Sequence, residues 1–251
     1  MGIEEYPRNL EHLAQERYIG KYLDAVSKGI LYERAKSLRG FLQKRRKSRP
    51  VEWSFSIPLE HPLTFIKNNV DNCRLQIDIS CEMEGTGDDI KKYNILLRVW
   101  CWDENVSYRE GVDAVELKSK LESLGWKRVI LRFHLDLRAQ KTKSTEPLYH
   151  LHVGGIPEDY ENCWYPKQLK VPRFPHPPMD IILLCEFVLV NFFQKESGEL
   201  RKDPEWRSLI RKSQEVFQKK YFAMCKSNLD NQTGTLLENL VSLPEVELYG
   251  S

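Results

Sequence analysis

Residues 74–102 read RLQIDISCEMEGTGDDIKKYNILLRVWCW. Leu75, Ile77, Ile79 and Cys81 alternate with Arg74, Gln76, Asp78, Ser80 and Glu82. Further on, Tyr93, Ile95, Leu97, Val99 and Cys101 alternate with Asn94, Leu96, Arg98, Trp100 and Trp102. A period of two sends successive side chains to opposite faces of a strand. The glycine-rich run Gly85-Thr86-Gly87-Asp88-Asp89 separates the two stretches and reads as a turn. The segment predicts an antiparallel hairpin with one apolar face.

The same period returns downstream. Val129, Leu131, Phe133, Leu135 and Leu137 alternate with Ile130, Arg132, His134, Asp136 and Arg138, and Tyr149, Leu151 and Val153 with His150 and His152. Between hairpin and third strand, Val115, Leu117, Leu121 and Leu124 have helical spacing, closed by Gly125. The unit reads β-β-α-β-β. Residues 51–57 offer a further short strand, followed by a loop at Pro58 and Pro62.

Upstream, residues 9–47 carry apolar side chains at helical spacing, with Gly20, Gly29 and Gly40 weakening the helix enough to allow a bend. Downstream, Pro177-Pro178 opens a nearly all-apolar helix over 179–193, followed by a basic amphipathic helix over 203–226. The expected class is α+β: an antiparallel four- to five-stranded sheet, with a long N-terminal helix and with C-terminal helices packed on its apolar face. Residues 1–50 are expected to form a helical arm and 51–251 a single α+β domain.

The formal net charge of +2 excludes a whole-molecule attraction to nucleic acid, so any such contact must rest on a local patch. The longest apolar run, 179–193, contains Asp180, Glu186 and Asn191 and falls short of the about 20 residues of a membrane span. No membrane partner is expected. None of the six cysteines forms a CxxC pair, which argues against a zinc ribbon. Cys81, Cys101 and Cys185 lie in apolar runs, as free buried thiols do, which suits the cytoplasm.

The second face of the sheet carries the candidate chemistry. Cross-strand neighbours lie about 5 Å apart, so His134 and Asp136 on one strand should stand near His150 and His152 on the next, with His176 in the loop that follows. Such a cluster is material for zinc or another divalent metal, and for acid–base catalysis near neutral pH. The same face also reads as an ordinary solvated one, with Asp78, Glu82, Arg98, Arg132, Asp136 and Arg138 in cross-strand ion pairs. Trp100, Trp102, Leu96 and Ile130 give it a third reading, as a platform for a partner protein or RNA.

Two other features stand out. Lys44, Arg45, Arg46, Lys47 and Arg49 form a compact basic run at a helix C-terminus, suited to capping or to phosphate contact. Tyr149-His150-Leu151-His152, then Cys163-Trp164, then the helix at 179 follow a sequence of elements that resembles the ubiquitin-conjugating enzyme fold. The resemblance implies Cys163 as a thioester cysteine with His150 or His152 as the motif histidine. The order departs from that fold in lacking a His-Pro-Asn triplet and in placing Pro177-Pro178 after the cysteine. No P-loop, GxGxxG, GxSxG, HExxH or kinase signature is present.

The leading expectation is a non-enzymatic interaction module: an accessory subunit that contacts a protein partner, with nucleic acid as a further partner through the basic run. The alternatives are a metal-dependent hydrolase or nuclease using His134, Asp136, His150, His152 and His176, and thioester transfer through Cys163.

Overall fold

The structure is a computed structural model that describes residues 3–43, 52–70, 73–87, 89–102, 127–137, 149–154 and 173–230. The expected helix at 112–124, the basic run Lys44–Arg49, Cys163 and the chain after Asp230 lie outside the described residues.

The class is α+β. Seven antiparallel strands form one sheet: β1 (Glu52–Ile57), β2 (Leu63–Val70), β3 (Cys73–Thr86), β4 (Asp89–Trp102), β5 (Lys127–Leu137), β6 (Tyr149–Val153) and β7 (Arg173–Pro175). Strand order is β1-β3-β4-β5-β6-β7. β1 pairs with residues 81–86 of β3 and β2 with residues 73–79, so the two lie end to end along one edge of β3. The predicted hairpin is the β3–β4 pair, closed by Gly87 at φ 59°, a left-handed conformation that favours glycine. Trp53 Nε1 donates to Gly87 O at 2.7 Å and ties the edge strand to this turn.

The apolar face forms as the alternation predicts. Ile77, Ile79, Cys81 and Met83 of β3 and Tyr93, Ile95, Leu97 and Val99 of β4 are all buried. A side chain of this size, fully buried, stabilises the fold by about 1.5–3 kcal/mol. Three features differ from expectation. The sheet has seven strands rather than four or five: β2 alternates buried Leu63 and Phe65 in what reads as loop sequence, and β7 is only three residues long. Register slips by one residue between Val99 and Trp100, a bulge that sets Val129 opposite Trp100 rather than on the core face. A second bulge lies between Glu84 and Gly85 and brings Ile90 opposite Gly85.

The N-terminal segment is not one long helix. It breaks into α1 (Tyr6–Leu13), a π-helical turn (Glu16–Gly20) and α2 (Ala25–Gln43). At Gly20 a Cβ would lie 2.6 Å from Ala14 O and 2.8 Å from Gln15 O, so the bend closes on backbone that only glycine clears. Gly29 and Gly40 sit inside α2 with open space around them. Residues 22–24 then bind the outer edge of β2, through Ile66 N–H to Tyr22 O and Asp24 N–H to Thr64 O. Ile3, Tyr6, Leu10 and Leu31 belong to the same apolar cluster as the sheet, so the described part of the helical arm is built into the core.

The apolar helix is α3 (Ile181–Phe192), capped by Asp180, whose Oδ1 accepts from Leu183 N–H at 2.9 Å. Glu186 within it accepts from Trp206 Nε1 at 2.8 Å and Arg201 Nε at 3.2 Å, the partners a half-buried carboxylate needs. The basic amphipathic stretch is two helices, α4 (Pro204–Phe217) and α5 (Lys219–Asp230), broken at Gln218, whose Nε2 reaches Pro178 O.

Asp180 is fully buried, and desolvation raises its carboxyl pKa, with Ser213 Oγ, Leu183 N–H and Tyr6 Oη opposing the shift. Tyr6 Oη, Ser213 Oγ and Asp180 Oδ2 face one another without reaching good hydrogen-bond geometry.

Two predictions test this core. Gly20→Ala should destabilise the protein by about 1–3 kcal/mol in urea unfolding, because backbone must shift. Gly29→Ala should stabilise it by about 0.5–1 kcal/mol. For Asp180, a raised folded pKa means its contribution to stability is fully present below the unfolded value of about 3.9 and lost as pH rises through the folded one. Asp180→Asn keeps the cap but not the charge. The urea midpoint of wild type should therefore fall relative to that variant as pH rises from about 4 toward neutrality; parallel profiles would contradict this.

Candidate functional site

On the sheet's second face, register sets out three cross-strand rows: Thr64–Asp78–Arg98–Arg132, Ser80–Leu96–His134–His152, and Glu82–Asn94–Asp136–His150. Directly opposed residues share a face, so the pairing expected of the histidines and Asp136 is the pairing found.

This face is not uniformly solvated. Asp78 and His150 are each only 3% exposed, Ser80 is buried, and Arg132, His134, Asp136 and His152 are half-buried. Burial is matched by internal contacts. Asp78 Oδ1 accepts from Thr64 Oγ1 at 2.9 Å and Gln76 Nε2 at 2.7 Å, and its Oδ2 lies 3.9 Å from Arg98 Nη2. The Arg98 guanidinium lies 5.0 Å from the Trp100 ring centre, within cation–π range. Arg132 Nη1 donates to Gly154 O at 3.3 Å, while Gly154 N–H returns a bond to Arg132 O at 2.9 Å. Gly154 holds φ 81° to make this exchange.

The three strand histidines lie in a row, with His150 and His152 stacked and His134 tilted 56° to His152. The His134 and His152 ring centres are 5.2 Å apart, and those of His150 and His152 are 4.9 Å apart with planes at 28°. Imidazole lone pairs lie in the ring plane, so two nearly parallel rings direct them side by side rather than onto one ion. His134 Nε2 lies 3.2 Å from Asn94 Oδ1. Asp136 Oδ1 accepts from Leu137 N–H at 2.8 Å. His176 does not join the row. Its Nδ1 lies 2.6 Å from Pro177 O, and burial lowers its pKa. Among the described residues, no group of three or more His, Cys, Asp or Glu side chains is disposed to hold a metal ion.

Of the thiols, Cys81 and Cys185 are free and buried, and desolvation raises both pKa values, which disfavours the nucleophilic thiolate. A second concavity lies at the sheet's edge: an open cleft of about 430 Å³ lined by Phe41 of α2, Glu52, Trp53 and Ser54 of β1, Glu84, Gly85 and Thr86 of β3, and Lys91. Sequence periodicity gives no sign of it, because it depends on where α2 ends relative to β1.

Removing Asp78 tests the polar network. Asp78→Ala strips Thr64 and Gln76 of a shared acceptor and removes the carboxylate that faces Arg98. The expected cost is about 3 kcal/mol by chemical denaturation, as for breaking a buried pair. A loss below about 0.5 kcal/mol would mean the network carries no structural weight.

Among the described residues no helix is long and apolar enough to cross a membrane. Comparison with protein-family models, with curated proteins and with solved structures finds no match for the chain.

Proposed function

We propose that the protein is a non-enzymatic interaction module, an accessory subunit that engages a protein partner through its N-terminal helical region. The observation that carries this reading is the outer side of α2. Its inner side buries Ser27, Leu31, Ala35 and Leu38, yet Val26, Tyr32 and Phe41 remain 65%, 45% and 38% exposed. At 3.6 residues per turn Val26 and Tyr32 project about 120° apart and flank the outer side, while Phe41 lies about 180° from Tyr32, on the side that lines the cleft at β1. Large apolar side chains left in water on one helix are what a docking helix offers a partner.

The polar sheet face supports the non-enzymatic part. Its histidines pack against one another, and Asp78 is held within the sheet by Thr64, Gln76 and Arg98. Such groups fix a core more readily than they meet a substrate. The free thiols Cys81, Cys185 and Cys225 suit a reducing compartment such as the cytoplasm. Nucleic-acid contact through Lys44, Arg45, Arg46, Lys47 and Arg49 rests on sequence alone.

A photo-cross-linking amino acid at Tyr32 or Glu33, both exposed on the outer side of α2, with Lys195 as a remote control, tests the reading in cells. A discrete adduct of one mass from both α2 positions, absent from Lys195 and lost on Val26→Glu, is the expected result. A chain that remains a strict monomer and yields no adduct from either position removes it.

A further inference from the structure

Among the described residues β1 is a terminal strand of the sheet. β1 pairs with β3 on one side, and among the described residues no strand or backbone hydrogen bond occupies its other side. The contrast with β2 is direct, since residues 22–24 already bind that strand's outer edge. Edge strands are normally blunted by proline, lysine, a bulge or a covering segment. β1 reads Glu-Trp-Ser-Phe-Ser-Ile and pairs in regular register, without proline, lysine or a bulge, and α2 packs against it. The open cleft of about 430 Å³ spans Glu52, Trp53 and Ser54 of this strand together with Glu84, Gly85 and Thr86 of its paired neighbour, at the end where β1 begins.

The side chains around the edge select what could fill it. Trp53, Phe55 and Ile57 point into the core, while Glu52, Ser54 and Ser56 are exposed. Across β1, Ser54 stands opposite Glu84 and Ser56 opposite Glu82. Both carboxylates are more than half exposed, and Lys92 lies 2.9 Å from Glu82 and 3.6 Å from Glu84. Strands are spaced about 4.8 Å apart, so a residue on an added strand opposite Ser54 would lie about 10 Å from the Glu84 backbone. A lysine or arginine spans that distance over the small serine. Lys92 and Lys91 offset part of the acidic charge, but Glu52 adds to it at the cleft.

We propose that β1 is a strand-addition site for an extended segment of a partner protein that alternates apolar residues with lysine or arginine. The apolar set would extend the core beside Trp53, Phe55 and Phe41, and the basic set would meet Glu52, Glu82 and Glu84. Backbone pairing supplies the affinity and the alternate pockets the selectivity. A second copy of this chain fits less well. Antiparallel pairing of β1 with itself brings the Glu52, Glu82 and Glu84 rows of two molecules toward each other, acid against acid. The inference rests on the reading of the protein as an interaction module and names a surface that shares Phe41 with α2 but centres on β1.

The test uses the full chain with a fluorescein-labelled heptapeptide of alternating valine and lysine. The controls are a valine–glutamate peptide and the valine–lysine peptide N-methylated on its pairing edge. Anisotropy should show binding of the valine–lysine peptide alone. Hydrogen exchange should show new protection within Trp53–Ile57. Ser54→Lys, a surface change that charges the edge, and Glu84→Lys should each weaken binding about tenfold or more. Equal binding of the N-methylated peptide, unprotected β1 amides, indifference to Ser54→Lys, or no binding at millimolar peptide would each overturn the proposal. So would self-association that protects β1 without peptide. Cross-links from Tyr32 together with an unprotected β1 would sink this inference while leaving the interaction-module reading standing.

Discussion

The pairing of β3 with β4 is the constraint on which the rest of the molecule depends. Both strands are long, both are regular in alternation, and their apolar faces are almost wholly withdrawn from water. Their pairing register determines which residues oppose one another in the central ladder. A slip of one residue would turn one strand's apolar set outward, either Ile77 and Ile79 or Ile95 and Leu97, and bring Asp78 or Arg98 into the apolar layer. The core face then dictates where α3 lies, because a helix with Ile181, Ile182, Leu184, Cys185, Val188 and Leu189 buried needs an apolar floor.

The two faces of this sheet are stabilised differently. One is a dispersion-packed layer of branched and aromatic side chains. The other is a lattice of polar groups that solvate each other: Thr64, Gln76 and Arg98 around Asp78, Arg132 on Gly154, and a row of imidazoles ending in buried His150. A polar group away from water must find its partners within the protein. That requirement accounts for the polar character of the contacts that hold this side of the sheet.

Much of this was legible in sequence, and what was not has physical causes. Period two located β3, β4, β5 and β6 and put His134, Asp136, His150 and His152 on one face, since strand geometry alone dictates face. β2 went unread because Pro58 and Pro62 signal loop just ahead of a short strand whose outer edge pairs with residues 22–24, a tertiary contact. The bulge opposite Trp100 depends on local twist rather than on residue type. Gly20 was visible as a weak point, but only the approach of Ala14 O shows why the helix bends there and not at Gly29 or Gly40. The expected site residues came out adjacent, but their burial depends on tertiary packing that alternation does not encode. Stacking, rather than convergence, follows from side-chain rotamers that sequence leaves open.

The way α1 and the turn after it are completed bears on the order of events during synthesis. Tyr6 stacks edge-on against Phe217 at 5.3 Å, Tyr18 packs 6.0 Å from Trp206, and Arg17 and Tyr18 both reach Glu205. Helical residues that leave the ribosome early thus close against residues made nearly two hundred positions later. α2 and Phe55 of β1 cover part of α1 early, but its packing is completed only when α4 emerges. At about 5–20 residues per second, roughly ten to forty seconds separate α1 from those residues.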